Sequence, residues 1–275
     1  MSFSPIGVFD SGYGGLTILK ELEKSLPEYD FMYLGDNART PYGTRSFDVV
    51  YQYTLEAVKY LFANGCPLVI LACNTASAKA LRNIQMLDLP DLAPQNRVLG
   101  VIRPSVEKVA EITRNGHVGV LGTPGTVASG SYPIELEKWS DGRVVSTVQE
   151  ACPMWVPLVE NNEIDSEGAD YFVRKNVQNI LAKDREIDTL ILGCTHYPLL
   201  EKQIQKYVPS NVTILKQGHI VSEKLVDYLK RHPEIEKRLS RHGKVFFRTT
   251  ESAETFGRNA TLFMGREIQA QKVSY

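Results

Sequence analysis

One pattern appears twice in this chain. Residues 67–75 read Pro67-Leu68-Val69-Ile70-Leu71-Ala72-Cys73-Asn74-Thr75, and residues 188–196 read Asp188-Thr189-Leu190-Ile191-Leu192-Gly193-Cys194-Thr195-His196. Each is a short apolar run, a small residue, then a cysteine followed at once by amide or hydroxyl side chains. Short aliphatic runs bounded by turn-type residues mark strands buried on both faces, the condition of a parallel sheet. Each cysteine therefore falls where a buried strand ends and the chain turns, which is where open α/β sheets hold their ligands. Two thiols on equivalent strand ends predict one site with a sulfur on either side.

A second correspondence extends the duplication. Ile6-Gly7-Val8-Phe9-Asp10-Ser11 resembles Val118-Gly119-Val120-Leu121-Gly122-Thr123, so both strand-end motifs recur in order. Between them the pattern alternates. Strands are expected at 6–9, 31–34, 68–72, 98–102, 118–121, 144–148, 190–192, 212–215 and 245–247. Helices are expected at 12–26, 46–64, 75–86, 104–114, 165–183, 199–207, 220–230 and 251–263. Ser46 is the expected cap of the second helix and Gly65 its stop. Such alternation predicts an α/β fold of right-handed crossovers and mainly parallel sheets. Two pseudo-symmetric units are expected, 1–98 completed by 208–275, and 99–207, with the site in the cleft between them.

Composition narrows the function classes. With 31 basic and 32 acidic residues the net charge is -1, which gives no electrostatic footprint for nucleic acid or an anionic membrane. No apolar run approaches the ~18 residues of a membrane span. The segment Met1-Ser2-Phe3-Ser4-Pro5-Ile6 has neither the basic region nor the apolar core of a secretory leader, so a cytoplasmic protein is expected. Cysteines at 66, 73, 152 and 194 are too scattered for a disulfide scaffold or a zinc ribbon, and suit a reducing compartment.

A thiol is useful only as far as it becomes a thiolate. Its free pKa of ~8.5 falls at helix N-termini and beside cations. Cys73 and Cys194 both precede expected helices, so a helix dipole is expected to act on each; Cys66 and Cys152 read as buried hydrophobes. Three chemistries use such sulfurs. A nucleophilic hydrolase would pair one cysteine with a histidine base and leave the other idle. A metal site could take Cys194 and His196, but nothing else in the spacing completes a ligand set, and no metal is expected. Proton transfer gives both thiols work: one removes a proton, the other donates one from behind, and a stereocentre inverts. Around them Asp10, Asn74, Thr75, Thr123, Thr126 and Thr195 line the strand ends with donors and acceptors, which suits a small zwitterion. The glycines of Asp10-Ser11-Gly12-Tyr13-Gly14-Gly15 open a helix whose N–H groups could meet an anion. The loop at 40–45 could close over the ligand.

At these residues the chain resembles the glutamate racemases, cofactor-independent members of the aspartate/glutamate racemase group. The resemblance runs nearly end to end through residues 9–15, 33–45, 72–77, 119–126, 152–160 and 192–200. It implies two α/β domains enclosing glutamate, a homodimer, and a role in supplying D-glutamate for peptidoglycan. By the same resemblance Cys73 and Cys194 are the paired acid and base, Cys73 acting on the D enantiomer and Cys194 on the L. Asp10 assists Cys73, while Glu160 and His196 assist Cys194. Ser11, Pro41, Tyr42, Gly43, Asn74, Thr75, Thr123, Thr126, Thr195 and His196 join Asp10 at the substrate. No sequence signature argues for pyridoxal phosphate, and the resemblance argues against any cofactor. The chain departs from the group's pattern at Lys216-Gln217, where an aspartate is common, and at Arg103. Asp10 could accept the thiol proton or orient the substrate ammonium, and the sequence leaves both open. A racemase for aspartate, and a binding protein for an acidic amino acid, stand as the alternative functions.

Overall fold

The computed structural model describes residues 3–275; Met1 and Ser2, which open the segment read as lacking a leader, lie outside the described residues. Ten strands are present: β1 (Ile6–Asp10), β2 (Phe31–Gly35), β3 (Leu68–Leu71), β4 (Arg97–Gly100), β5 (His117–Gly122), β6 (Ser146–Ala151), β7 (Thr189–Gly193), β8 (Thr213–Leu215), β9 (Val245–Thr249) and β10 (Ala270–Lys272). They form a six-stranded sheet, β10-β9-β2-β1-β3-β4, and a four-stranded sheet, β6-β5-β7-β8. Every described pairing is parallel.

The duplication is structural. The order β2-β1-β3-β4 in the first sheet is repeated as β6-β5-β7-β8 in the second, with β1 matched to β5 and β3 to β7. All residues of β1, β2, β3 and β7 are buried, because helices cover both faces. Each fully buried aliphatic side chain in them contributes roughly 1.5–3 kcal/mol. The C-terminal β9 and β10 extend the first sheet beyond β2.

Sheet membership shifts the expected unit boundaries. β4 runs to Gly100 and pairs with β3, so the chain leaves the first sheet after residue 100 rather than at 98. β8 pairs with β7, so the chain leaves the second sheet after residue 215 rather than at 207. The strand expected at 144–148 lies at Ser146–Ala151 instead. It is an edge strand, and its Gln149 and Glu150 hid its end from an apolar pattern.

Helix ends follow local chemistry. Ser46 caps the helix Phe47–Ala63 by accepting the Val49 N–H at 3.4 Å. That helix stops just before Gly65, whose φ of +86° is left-handed and where a Cβ would meet Phe3 O at 2.8 Å. The helix expected at 75–86 is interrupted at Ala80 and resumes as Leu81–Asn83, a π-helical stretch Ile84–Asp88 and Leu89–Leu92, so helical backbone runs past the expected end. Among the described residues the helices Pro124–Ser129, Ser131–Trp139, Trp155–Glu160 and Pro233–Glu236 were not expected. Among the described residues no helix is long and apolar enough to cross a membrane.

Candidate active site

Cys73 follows β3 and caps the helix Asn74–Lys79, its Sγ accepting the Ala76 N–H at 3.4 Å. Ser11 Oγ lies 3.5 Å from the sulfur. The cysteine is buried, and burial together with the nearby Asp10 carboxylate pushes its thiol up to about 12, against the pull of Ser11 and the Ala76 N–H. The expected lowering by a helix N-terminus is present but outweighed here. One N–H of a short helix does not offset desolvation plus a like charge.

Asp10 ends β1 and is also buried. Its carboxylate accepts the Gly12 N–H at 2.9 Å and a second hydrogen bond from the Gly15 backbone. The amides of this glycine turn, expected to face a ligand anion, are therefore occupied in part by the protein's own carboxylate. Burial raises the Asp10 pKa, while His196 and the two backbone donors oppose the rise.

Cys194 follows β7, and the chain then enters a 3₁₀ turn, Tyr197–Leu200, which leads into the α-helix Glu201–Gln205, inside the range expected at 199–207. Its Sγ lies 3.8 Å from Nδ1 of buried His196, whose Nε2 is 2.9 Å from Oε1 of Glu160. Glu160 ends the helix Trp155–Glu160, anchored by the Trp155 ring against Tyr197 at 4.7 Å. Phe263, from the C-terminal helix Ala253–Met264, meets the His196 ring edge-on at 5.5 Å. Burial alone would strip the imidazole of its proton. The hydrogen bonds and negative charges of Cys194 and Glu160 outweigh it and raise the His196 pKa to about 10. The imidazole thus lies between a sulfur and a carboxylate, and both favour its protonated form.

The two strand-end turns meet. A Cβ on Gly14 would stand 2.3 Å from Thr195 Oγ1 and 2.4 Å from His196 Nδ1, so only glycine permits this approach. Thr17 Oγ1 donates to Thr195 O at 3.0 Å across the same seam. Asp10 feels the charges of His196 and Glu160, and Cys73 feels that of Cys194. Thr75, Thr123 and Thr126 form a buried hydroxyl cluster from both units, with Thr75 Oγ1 2.9 Å from Thr123 Oγ1 and 3.3 Å from Thr126 Oγ1. The loop at 40–45 is closed over the seam. Gly43 O accepts the Gly125 N–H at 2.7 Å, and Arg45 O accepts Lys79 Nζ at 2.7 Å.

Within that loop two expected residues behave differently. The Tyr42 ring is buried in the first unit's core, and its hydroxyl donates to Asp36 Oδ2 at 2.5 Å, so its side chain anchors the loop and does not line the cleft. Pro41 is exposed. Cys66 and Cys152 are buried free thiols, consistent with packing roles.

Sequence reasoning missed several polar residues. Asp36 holds Tyr42 and Arg39. Asn37 Nδ2 is buried without a hydrogen-bond partner beside Gly12, where Glu160 Oε1 and Thr40 Oγ1 also approach. Gln217 and Tyr132 are joined to Asn74 by hydrogen bonds. Asp36 and Asn37 lay in the motif at 33–45 and Gln217 at the noted departure, but no periodicity pointed to their partners.

Comparison with known proteins adds an independent line. The Asp/Glu/hydantoin racemase family model matches residues 7–222. A glutamate racemase of Persephonella marina is 40% identical over 273 residues, covering 98% of this chain and 96% of that protein. The crystal structure of glutamate racemase isoform RacE1 from Bacillus anthracis superposes with a TM-score of 0.87 at 34% identity, covering 98% of this chain and 97% of that one. A glutamate racemase from Francisella tularensis, in complex with D-glutamate, superposes with a TM-score of 0.86 at 31% identity over 98% of this chain and 97% of its own.

Proposed function

The chain belongs to the Asp/Glu/hydantoin racemase family, and we propose that it interconverts L- and D-glutamate with Cys73 and Cys194 as the paired acid and base. As a member of that family it is an isomerase. The observation that carries the reading is the pairing of two buried thiols at the ends of equivalent strands, β3 and β7, each with its own polar assistant.

The hard step is removal of an α-proton beside a carboxylate. Acidity there is raised by the retained substrate ammonium, by hydrogen bonds to the carboxylate, and by exclusion of bulk water. One sulfur, as thiolate, takes the proton from Cα. The electron pair left on carbon is held by the neighbouring carboxylate, and the opposite thiol delivers its proton from the other face. The configuration inverts, and the two sulfurs have exchanged protonation states. His196, held by Glu160, supplies a positive charge beside Cys194. Asp10 and Ser11 serve the Cys73 side, and Asn74, Thr75, Thr123, Thr126, Thr195 and the Gly43 backbone bind the substrate. The closed loop at 40–45 keeps water from the reacting carbon.

We further propose that the two sheet units, residues 3–100 with 216–275 and residues 101–215, move as domains when substrate enters. D-glutamate would serve peptidoglycan synthesis, and the protein would act as a homodimer, as the resemblance implies. The direct test is circular dichroism of either enantiomer of glutamate incubated with the purified protein, without added cofactor. Decay of the signal to zero from both sides supports the reading, and persistent optical activity with folded protein overturns it.

A further inference from the structure

Gln217 is the first residue of the helix Gln217–Arg231 and is 2% exposed. Its amide joins elements of both units. Oε1 accepts from Asn74 Nδ2 at 2.6 Å. Nε2 lies 2.9 Å from Ser105 Oγ, 2.9 Å from Tyr132 OH, 3.2 Å from Val101 O and 3.3 Å from Asn74 Oδ1. Tyr132 OH in turn donates to Asn74 Oδ1 at 2.8 Å. Asn74, Gln217 and Tyr132 thus close a ring of hydrogen bonds directly behind the residue that follows Cys73.

The sense of that ring is fixed from one end. The Val101 carbonyl can only accept, and the Ser105 hydroxyl already gives its hydrogen to that carbonyl at 2.9 Å. The Gln217 group facing both must therefore be the NH₂, since an oxygen there would confront two acceptors. Oε1 is then left for Asn74, which must answer with its own NH₂. Asn74 Oδ1 faces Tyr132, whose hydrogen it receives. Every hydrogen is placed except one: the second on Asn74 Nδ2.

We infer that Gln217 is a positioning residue, which locks the Asn74 amide so that its one uncommitted valence is an N–H donor for a substrate carboxylate oxygen. The inference rests on the racemase reading, because Asn74 meets substrate only if the cysteine pair is the site. Without Gln217 the Asn74 amide is free to turn, and a carbonyl oxygen presented to a carboxylate repels it.

A double-mutant cycle tests this. Gln217→Met preserves length and removes every hydrogen bond. In the wild-type background it should lower kcat/KM for both enantiomers of glutamate by about tenfold or more, mainly through KM, the usual scale for a hydrogen bond to a charged group. In an Asn74→Ala background the same change should cost less than about twofold, because there is no amide left to orient. An equal loss in both backgrounds would overturn the inference and make Gln217 a packing residue. Should thermal melts find the methionine variant unfolded, Gln217→Glu replaces it in the cycle. Its carboxylate cannot donate to Val101 O or Tyr132, and wild-type kcat/KM in that variant would equally overturn the inference. The amide orientation is also readable without turnover. The Asn74 Nδ2 proton bonded to Gln217 Oε1 should be protected from exchange in the wild type and lose protection in Gln217→Met. Wild-type protein that protects that proton but leaves glutamate optically active would break the functional reading and not the orientation.

Discussion

Cys73 and Cys194 end equivalent strands of equivalent sheets, yet their surroundings differ in kind. The charged groups acting on Cys73 are Asp10 and Cys194, both negative, and its thiol is held up at about 12. Cys194 instead has a buried imidazole 3.8 Å away, whose pKa is raised by its contacts with Cys194 and Glu160. A buried thiolate needs a positive partner. The Cys194 half carries one in its own chain, and in the proposed reaction the Cys73 half receives one only with the substrate ammonium. Doubling the backbone therefore did not double the chemistry. One sulfur has a histidine–carboxylate pair beside it, the other a serine and a carboxylate.

The largest effects should come from removing either sulfur. Cys73→Ser and Cys194→Ser should each lower racemisation by at least about 10²–10⁴-fold, because inversion needs both proton transfers and a serine hydroxyl is too weak an acid. Each variant keeps one working face. Given both enantiomers of N-hydroxyglutamate, whose nitrogen carries a good leaving group, the two should eliminate from opposite enantiomers. Near wild-type racemisation in either would return that cysteine to a packing role and end the comparison.

Next comes His196→Asn, with an expected loss of about 10²-fold. Enantiomers have an equilibrium constant of one, so kcat/KM must fall equally in both directions, and rates alone cannot locate the damage. Isotopes can. If His196 serves the Cys194 half, proton transfer at Cys194 becomes limiting. The α-deuterium effect should then grow for the enantiomer that Cys194 deprotonates, L by resemblance, and shrink for the other. Equal isotope effects would make His196 a partner of both halves.

How far these halves were legible in the sequence follows from physics. β3 and β7 were plain because burial on both faces forces unbroken aliphatic runs, and each cysteine stood at the run's end. β6 was misplaced because an edge strand tolerates Gln149 and Glu150. The helices Pro124–Ser129 and Ser131–Trp139 were missed because short helices wedged between units draw stability from packing, not from propensity. At the site, residues next to the cysteines were found from adjacency. The inward turn of the Tyr42 ring was not legible, because a loop motif does not say whether a ring points to cleft or core. The Gln217–Asn74–Tyr132 ring was invisible, because its members are joined only by folding.

Asp10→Asn should have a smaller effect, a loss of about tenfold, the scale of one charge-assisted hydrogen bond. Its value lies in two opposed readouts. Removing the carboxylate removes a like charge from Cys73, so the thiol pKa should fall from about 12, read as thiolate absorbance in a Cys194→Ser background. If turnover drops while the thiol becomes more acidic, Asp10 acts on the substrate or its proton, not by easing thiolate formation. An unmoved thiol would mean that burial alone sets Cys73.

The smallest effect is on stability against pH, and it separates the halves without substrate. His196 titrates near 6.5 when unfolded and at about 10 when folded. A raised pKa contributes stability that is complete below the unfolded value and is lost as pH rises through the folded one. The Cys194 half should therefore lose stability between about pH 6.5 and pH 10. Cys73 is likewise raised, from 9.0 to about 12, so its half loses stability in the higher window between those values. Urea midpoints of wild type and His196→Asn should differ by a constant amount in mild acid, and the difference should shrink steadily toward pH 10. Cys73→Ser should leave that lower window intact. A difference between wild type and His196→Asn that ignored pH would mean that folding leaves the imidazole pKa unshifted, and one that changed in the wild type's favour as pH rose through mild acid would mean that the folded protein holds the imidazole neutral. The Cys194 half would then lack its resident cation, and both sulfurs would depend on the substrate for one.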